Sequence, residues 1–479
     1  MPANSWPEND SYNELDALGS LLSELSEQES DETADEPMLE PALTSGYKGR
    51  RRKAAVVLTV VWGGTIALHL VSWGAWIVVG MTTIFGIHAL RLVLTRPHHA
   101  PEPMSEESLA TCPYVSLLVA AKNEEAVISN LVEMLCQVDY PSHKYEVWVI
   151  DDNSTDKTPM LLKAMAERYS HLKVLRRADG AGGGKSGALN EVLPLTKGEI
   201  IAVFDADAQV SPDLLRQVLP LFTRQEVGAV QMRKAIANAN TNFWTSGQMA
   251  EMALDSYMQQ QRIASGGLGD LRGNGQLVRR EALERCGGWN EETITDDLDL
   301  ALRLHLDSWD IEFLSFPPVQ EEGVTSAIAL WHQRNRWAEG QSQRYLDYWR
   351  LLARNRMGTA KTFDLVMFLL IQHVVPIAAI PDLMMAVARN RAPILAPMTA
   401  LTLTLSVLSM FNGLRRQRKN EQLSLAAFFV ILLQTLRGTI YMLHWLVVMV
   451  STSARMSVRP KRLKWVKTVH QGHKEKVKG

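Results

Sequence analysis

Two aspartates one residue apart, Asp205 and Asp207, close a short apolar run, Ile200-Ile-Ala-Val-Phe204. Carboxylates spaced i, i+2 offer oxygens to one hard cation, the kind of ion that carries a diphosphate. A second acidic pair, Asp151-Asp152, ends the run that starts at Tyr145, and Asn123-Glu124 follows a third run, Val115 to Ala121. Polar groups at three such ends can share a crevice, one meeting a ribose or base edge while another holds metal. Asp152 to Asp156 also suits a turn and helix cap. Thr295-Asp296-Asp297 opens a further helical stretch after Gly287-Gly-Trp289. Acids in a first turn suit the helix dipole, but transfer from a nucleotide donor to a hydroxyl needs a carboxylate that takes the hydroxyl proton, and Asp297 is the candidate. Gln333-Arg-Asn-Arg336-Trp337 brings a cation for a departing diphosphate and an aromatic floor for an acceptor. The same basic-aromatic pattern also serves as an interfacial membrane anchor.

Gly182-Gly-Gly-Lys185-Ser-Gly187 resembles a phosphate-cradling loop, but its spacing fails. G-x-x-x-x-G-K-S requires glycine at the position of Asp179, and Gly180 is out of register by one. Lys185, at the entry of a helix, remains a candidate contact to a diphosphate or sugar. The histidines lack zinc-ligand spacing, and no Ser or Cys stands in a nucleophile elbow.

The elements that must position these groups alternate. Strands are expected at Val115–Ala121, Tyr145–Asp151, Val174–Arg176 and within Gly198–Asp207; helices at Glu124–Gln137, Thr158–Tyr169 and Ser186–Leu195. The unbroken apolar runs suit strands covered on both faces, so an α/β fold with a parallel sheet and helices on both sides is expected. Carboxylates at strand ends then line the edge where such sheets bind ligands.

The chain carries a net charge of -2 over 479 residues, an average of unlike parts. Residues 1–46 read as an acidic, disordered tail, and 451–479 as a basic one. Three cysteines without C-x-x-C spacing fit a reducing compartment. No signal peptide is visible at the N-terminus, and no nucleic-acid partner is expected.

No charged residue lies between Lys53 and Arg91. One helix through that span would be roughly 55 Å long against a hydrocarbon core of about 30 Å, so a transmembrane hairpin over residues 54–93, turning at Ser72-Trp-Gly74, is expected. The cluster Lys48 to Lys53 holds its start on the cytosolic side. Further spans are expected across 363–450, at Phe363–Val387, Pro393–Phe411 and Leu423–Val450. The last is either a double or re-entrant element divided near Arg437-Gly438, or an exception to the positive-inside count. Between the membrane blocks lie an α/β domain, 111–330, and a segment, 331–362, expected to rest on the membrane surface as an amphipathic helix with Leu346, Trp349 and Ala353 on one face and Arg344, Arg350 and Arg354 around it.

Asp151-Asp152, Asp205-Ala-Asp207, Thr295-Asp-Asp297 and Gln333-Arg-Asn-Arg336-Trp337, in this order and between membrane spans, resemble the family 2 glycosyltransferases of GT-A (Rossmann-like) fold, the group of cellulose, chitin and hyaluronan synthases. The resemblance covers roughly residues 111 to 362. It implies that Asp152 contacts the uridine, that Asp205 and Asp207 bind the diphosphate and its Mg²⁺ (or Mn²⁺), and that Asp297 is the base of an inverting transfer. Asn123, Glu124 and Lys185 join the donor site, and Gln333, Arg336 and Trp337 line the acceptor and diphosphate site. Asp296 stands where the family usually has Glu, and the proline that often precedes the Asn after the first strand is missing.

The leader Met1-Pro-Ala-Asn-Ser-Trp6 and the segment Gly64-Thr-Ile-Ala-Leu-His-Leu-Val-Ser-Trp-Gly74 are similar to a narrower group, the cyanobacterial enzymes that move glucose from UDP-glucose to 1,2-diacylglycerol, a step toward the galactolipid of photosynthetic membranes. The expectation is a multi-pass membrane glucosyltransferase with a cytosolic catalytic domain, acting on a lipid at the bilayer. A processive polysaccharide synthase and, more remotely, a nucleotide-hydrolysing membrane module are the alternatives.

Overall fold

In the computed structural model, residues 49–418 and 424–459 are described; the acidic tail and most of the basic tail lie outside them. Two helices come first, α1 (Arg50–Leu70) and α2 (Gly74–Leu94). Gly74 starts α2 where a Cβ would run into the Leu68 backbone, which is why the turn falls there.

The α/β unit follows as β1 (Val115–Ala121), α3 (Ile128–Cys136), β2 (Tyr145–Asp151), α4 (Thr158–Arg168), β3 (Leu172–Arg176), α5 (Gly184–Val192) and β4 (Ile200–Asp205). It continues through α6 (Leu214–Val218), β5 (Val227–Ile236), α7 (Phe243–Ala264), β6 (Gln276–Arg279), α8 (Arg280–Arg285), α9 (Asp296–Leu306) and β7 (Asp310–Glu321). The strands form one sheet of order β3-β2-β1-β4-β6-β5-β7. β1 to β4 are parallel, as expected. The expectation of a wholly parallel sheet is corrected by β6, which runs antiparallel to both β4 and β5. β6 begins at the edge where β4 ends, with the Gly275 N–H donating to the Val203 carbonyl, so it can only run back. Apolar side chains alternate between two cores. Leu117 and Val119 pack with Ile128, Leu131 and Leu162 on one face, and Leu118 with Leu189, Trp289 and Leu300 on the other.

The remaining helices are α10 (Ala327–Ala353), α11 (Thr359–Leu369), α12 (Val375–Ala388), α13 (Ala396–Gln417), α14 (Leu425–Met442) and α15 (His444–Val458). A π turn, Leu370–Val374, joins α11 to α12. Among the described residues, five stretches are long and apolar enough to cross a membrane: α1, α2, Thr359–Ala388, α13 and Leu425–Val458. The last is interrupted at Leu443, not at Arg437-Gly438. Gly438 instead allows close packing, since a Cβ there would fall 2.6 Å from the Ala250 Cβ and 2.5 Å from the Met410 sulfur. With Gly247 against Tyr441 and Gly413 against the Ala253 backbone, it forms a small-residue seam that joins α7 of the α/β unit to α13 and α14.

The segment expected to lie on the membrane surface is part of α10, one 27-residue helix that begins before the Gln-Arg-Asn-Arg-Trp motif. Its arginines do not ring an exposed helix. Arg344 is buried and donates to Asp270 Oδ1 at 2.8 Å. Asp347 accepts from Arg50 Nε at 2.7 Å, tying α10 to the start of α1, and the Tyr348 hydroxyl donates to Asp299 at 2.7 Å. α10 is a strut between the sheet unit and the apolar helices.

Candidate active site

Strand register brings the acids to one edge: Ala121 pairs with Asp151, and Ala120 with Asp205. The two residues of the first acidic pair then separate. Asp151 turns inward and accepts from the Ser154 N–H at 2.9 Å, shaping the loop. Asp152 faces the edge, held by Arg177 at 2.7 Å and Lys122 at 3.2 Å. The buried Arg177 also donates to Glu191 at 2.9 Å and to the Gly182 carbonyl at 2.7 Å, so one guanidinium fastens the glycine-rich loop to Asp152. No sequence motif marked Arg177; its position immediately after a strand end was the available signal.

Asn123 and Glu124 lace the loops after β1 and β2 together. Asn123 adopts φ 55°. Its N–H donates to Ser154 Oγ at 2.9 Å, its Oδ1 accepts from the Thr155 N–H at 2.7 Å, and the Glu124 N–H donates to Thr158 Oγ1 at 2.8 Å. The Asn123 side chain therefore shapes the rim of the crevice.

Asp205 is the last residue of β4 and Asp207 lies in the turn after it, both partly exposed. Lys185, on the first turn of α5, donates to Asp205 Oδ1 at 2.6 Å. Burial alone would lower the lysine's pKa, but Asp205, then Asp296 and Asp297, hold it above its ordinary value. Asp207 Oδ2 accepts from the Glu322 N–H at 3.0 Å, and the Asp205 N–H donates to Asn274 Oδ1 at 3.2 Å. Among the described residues, no group of three or more His, Cys, Asp or Glu forms a closed metal cage. Two half-open carboxylates at one mouth suit a hard cation that brings its other ligands as phosphate oxygens and water.

Asp297 begins α9 beside this mouth, and a Cβ on Gly273 would lie 3.3 Å from its Oδ2. Burial, then the neighbouring Asp296 carboxylate, push its pKa up to about 6, against the pull of the Leu298 N–H, Lys185 and Lys234. Asp299, two residues on, is surrounded by donors: Arg303 donates to it at 2.7 Å, Tyr348 at 2.7 Å and Asn290 at 2.9 Å. Asp299 is thus held by three donors, while Asp297 keeps a carboxyl whose pKa is raised by burial and by Asp296.

α10 supplies the opposite wall, and Gly340 lets it press on Thr295, the residue immediately before α9. Arg336 lies within electrostatic reach of Asp205, Asp297 and Asp296; its burial lowers its pKa and those acids oppose the shift. Lys234 of β5 projects into the same space, 2.8 Å from Glu321 and 5.8 Å from the Trp337 ring. Sequence reasoning missed it, because β5 also carries Gln231 and Arg233 and one more polar residue there gave no distinct signal. Gln333 points sideways and accepts from Arg334 at 2.8 Å. The 0%-exposed Arg334 stacks 3.9 Å from the Trp337 ring and donates to Glu251 at 2.5 Å and to the Tyr441 hydroxyl at 3.1 Å. Tyr441 and Trp445, from either side of the break at Leu443, also donate to Glu251, at 3.0 and 2.7 Å. α14 and α15 thereby reach the guanidinium that stacks on Trp337.

A mixed sheet with acids at its parallel strand ends, three cations opposite them and one raised-pKa carboxylate is an arrangement for moving a group from a diphosphate to a hydroxyl. Residues 113–340 match the family model described as glycosyltransferase like family 2. Relatives extend that match over the whole chain, which belongs to the family 2 glycosyltransferases. It is 65% identical over 478 residues, covering 99% of this chain and 100% of the relative, to a β-monoglucosyldiacylglycerol synthase of Trichormus variabilis. Identity to the protein of the same name from Synechocystis sp. is 53% over 473 residues, covering 98% and 97% of the two chains. Among solved structures, a mannosyltransferase from Pyrobaculum calidifontis, in complex with GDP-Man and Mn²⁺, superposes with a TM-score of 0.50 at 20% identity, covering 84% of this chain and 97% of that one, a likeness of fold.

Proposed function

We propose that this chain transfers glucose from UDP-glucose to the free hydroxyl of 1,2-diacylglycerol with inversion, giving the β-glucoside. One observation carries the reading: Asp205, Asp297, Lys185, Lys234 and Arg336 converge on a single mouth that has Trp337 beside it. The sugar and the lipid are taken from the relatives named for that product.

In this mechanism Asp152, held by Arg177, meets the uridine at the rim shaped by Asn123 and Glu124. Asp205 and Asp207 would hold Mg²⁺, with Mn²⁺ an alternative; when bound, the ion neutralises and orients the diphosphate. Asp297 takes the proton of the diacylglycerol hydroxyl, whose oxygen bonds to the anomeric carbon on the face opposite the leaving group. The anomeric carbon–oxygen bond to the diphosphate breaks, UDP leaves with the electron pair, and the proton stays on Asp297. Arg336 and Lys234 meet the negative charge on the departing diphosphate. A base of pKa about 6 is unprotonated at neutral pH yet still basic enough to help. Gln333 and Arg334 fix Trp337 as the floor for the glycerol end of the acceptor.

The chain divides accordingly into an acidic tail (1–46), a transmembrane hairpin (54–93), the glycosyltransferase domain (111–330), the motif-bearing segment (331–362), a membrane region (363–450) and a basic tail (451–479). It is a multi-pass protein of the plasma or thylakoid membrane with its catalytic domain on the cytosolic face. Membranes containing the chain, given labelled UDP-glucose and diacylglycerol, are expected to release label into chloroform as a small glycolipid. Label retained as insoluble polymer would instead identify a polysaccharide synthase.

A further inference from the structure

α14 carries one charged residue, Arg437, in an otherwise apolar helix. The side chain is exposed, on the same stripe as Leu433, Leu436 and Ile440, which are 67%, 59% and 55% exposed. Among the described residues, no carboxylate pairs with it; its guanidinium lies over the Phe243 ring at 5.5 Å. On a helix apolar enough to cross a membrane, a guanidinium on an exposed apolar stripe is costly without an anion. Stacked on a ring, it still presents its N–H edge. Beside it opens a groove of about 510 Å³, lined by Phe243, Leu433, Gln434, Leu436, Arg437 and Ile440.

We propose that this groove is a binding site for an anionic glycerophospholipid, its phosphate on Arg437 and one acyl chain along Leu433, Leu436 and Ile440 against Phe243. Charge complementarity selects the occupant. Diacylglycerol has no charge to meet the guanidinium, and free phosphate has no use for an apolar channel. The site is coupled to the acceptor wall, because the Phe243 ring lies 6.4 Å from that of Tyr441, one turn beyond Arg437, and Tyr441 bonds to Glu251 and Arg334 beneath Trp337.

The test uses the full chain in phosphatidylcholine vesicles carrying an acyl-chain diazirine probe of phosphatidylglycerol, phosphatidylcholine or diacylglycerol, with crosslinks mapped to peptides. Phosphatidylglycerol should label α14 and Phe243 about fivefold more than phosphatidylcholine, the worth of one cation near an anionic headgroup. Arg437→Gln should abolish that preference and Arg437→Lys should keep part of it, with both variants retaining wild-type UDP binding as evidence of folding. Equal labelling by both phospholipids, an unchanged preference in Arg437→Gln, or preferential labelling by diacylglycerol would each overturn the proposal. Crosslinking needs no turnover, so its outcome is independent of the glucosyltransferase reading.

Discussion

The two walls of the candidate site are built on different principles. On the proposed donor side the ion pairs are short-range in the chain, Arg177 reaching Asp152 across 25 residues and Lys185 reaching Asp205 across 20, although backbone bonds also tie Asp205 to Asn274 and Asp207 to Glu322. On the acceptor side one carboxylate, Glu251, gathers Arg334 from 83 residues away, Tyr441 from 190 and Trp445 from 194. The proposed donor wall is therefore largely a property of the sheet and its loops, whereas the proposed acceptor wall forms where the apolar helices α14 and α15 pack on α7 and α10. A soluble donor and a bilayer-dissolved acceptor would meet at this junction.

The largest expected effect falls where the walls meet. Asp297→Asn should lower kcat by about 10² to 10⁴, the range for loss of a general base, with UDP affinity by calorimetry unchanged. Turnover within a few fold of wild type would move the base elsewhere. Glu251→Gln tests the acceptor wall alone. Releasing Arg334 should let Trp337 shift and raise the KM for diacylglycerol about tenfold while the KM for UDP-glucose holds. The thermal midpoint should also fall, because a buried cation loses its partner. Equal rises in both KM values would show the two walls to be one structural unit.

The pH profile is a subtler probe. Protonated Asp297 cannot accept the acceptor's proton, so kcat/KM should fall as pH drops through about 6. Asp296→Asn removes the neighbouring like charge and should move this acid limb down by up to about one unit, with the plateau kept. A limb that stays in place would assign it to another group. The smallest effect belongs to the donor rim: Lys122 is 47% exposed in its pair with Asp152. Lys122→Ala should alter the UDP-glucose KM by less than about fivefold, since exposed pairs contribute at most about 1 kcal/mol.

The same contrast explains what the sequence disclosed. β1, β2 and the acids at the ends of β2 and β4 were legible because unbroken apolar runs stop on carboxylates. The hairpin of α1 and α2 was legible because its turn interrupts an uncharged stretch too long for one span. β6 was not, since four residues, Gln276–Arg279, carry no periodic signal and their direction depends on where the preceding loop leaves the chain. Glu251 lay hidden in α7, where a glutamate reads as helix surface until Arg334, α14 and α15 close over it. Arg344 was misread for the same reason: an arginine on an amphipathic pattern looks solvated, yet Asp270 stabilises it in the interior.

The two-walled site makes its strictest demand on stereochemistry. An acceptor oxygen activated by Asp297, attacking opposite a diphosphate held by Asp205, Lys185 and Arg336, can only invert the sugar. Proton NMR of the lipid product formed from UDP-α-glucose and diacylglycerol reads this directly. A β-anomeric signal is the predicted result, and an α-anomeric product would contradict the single-base site.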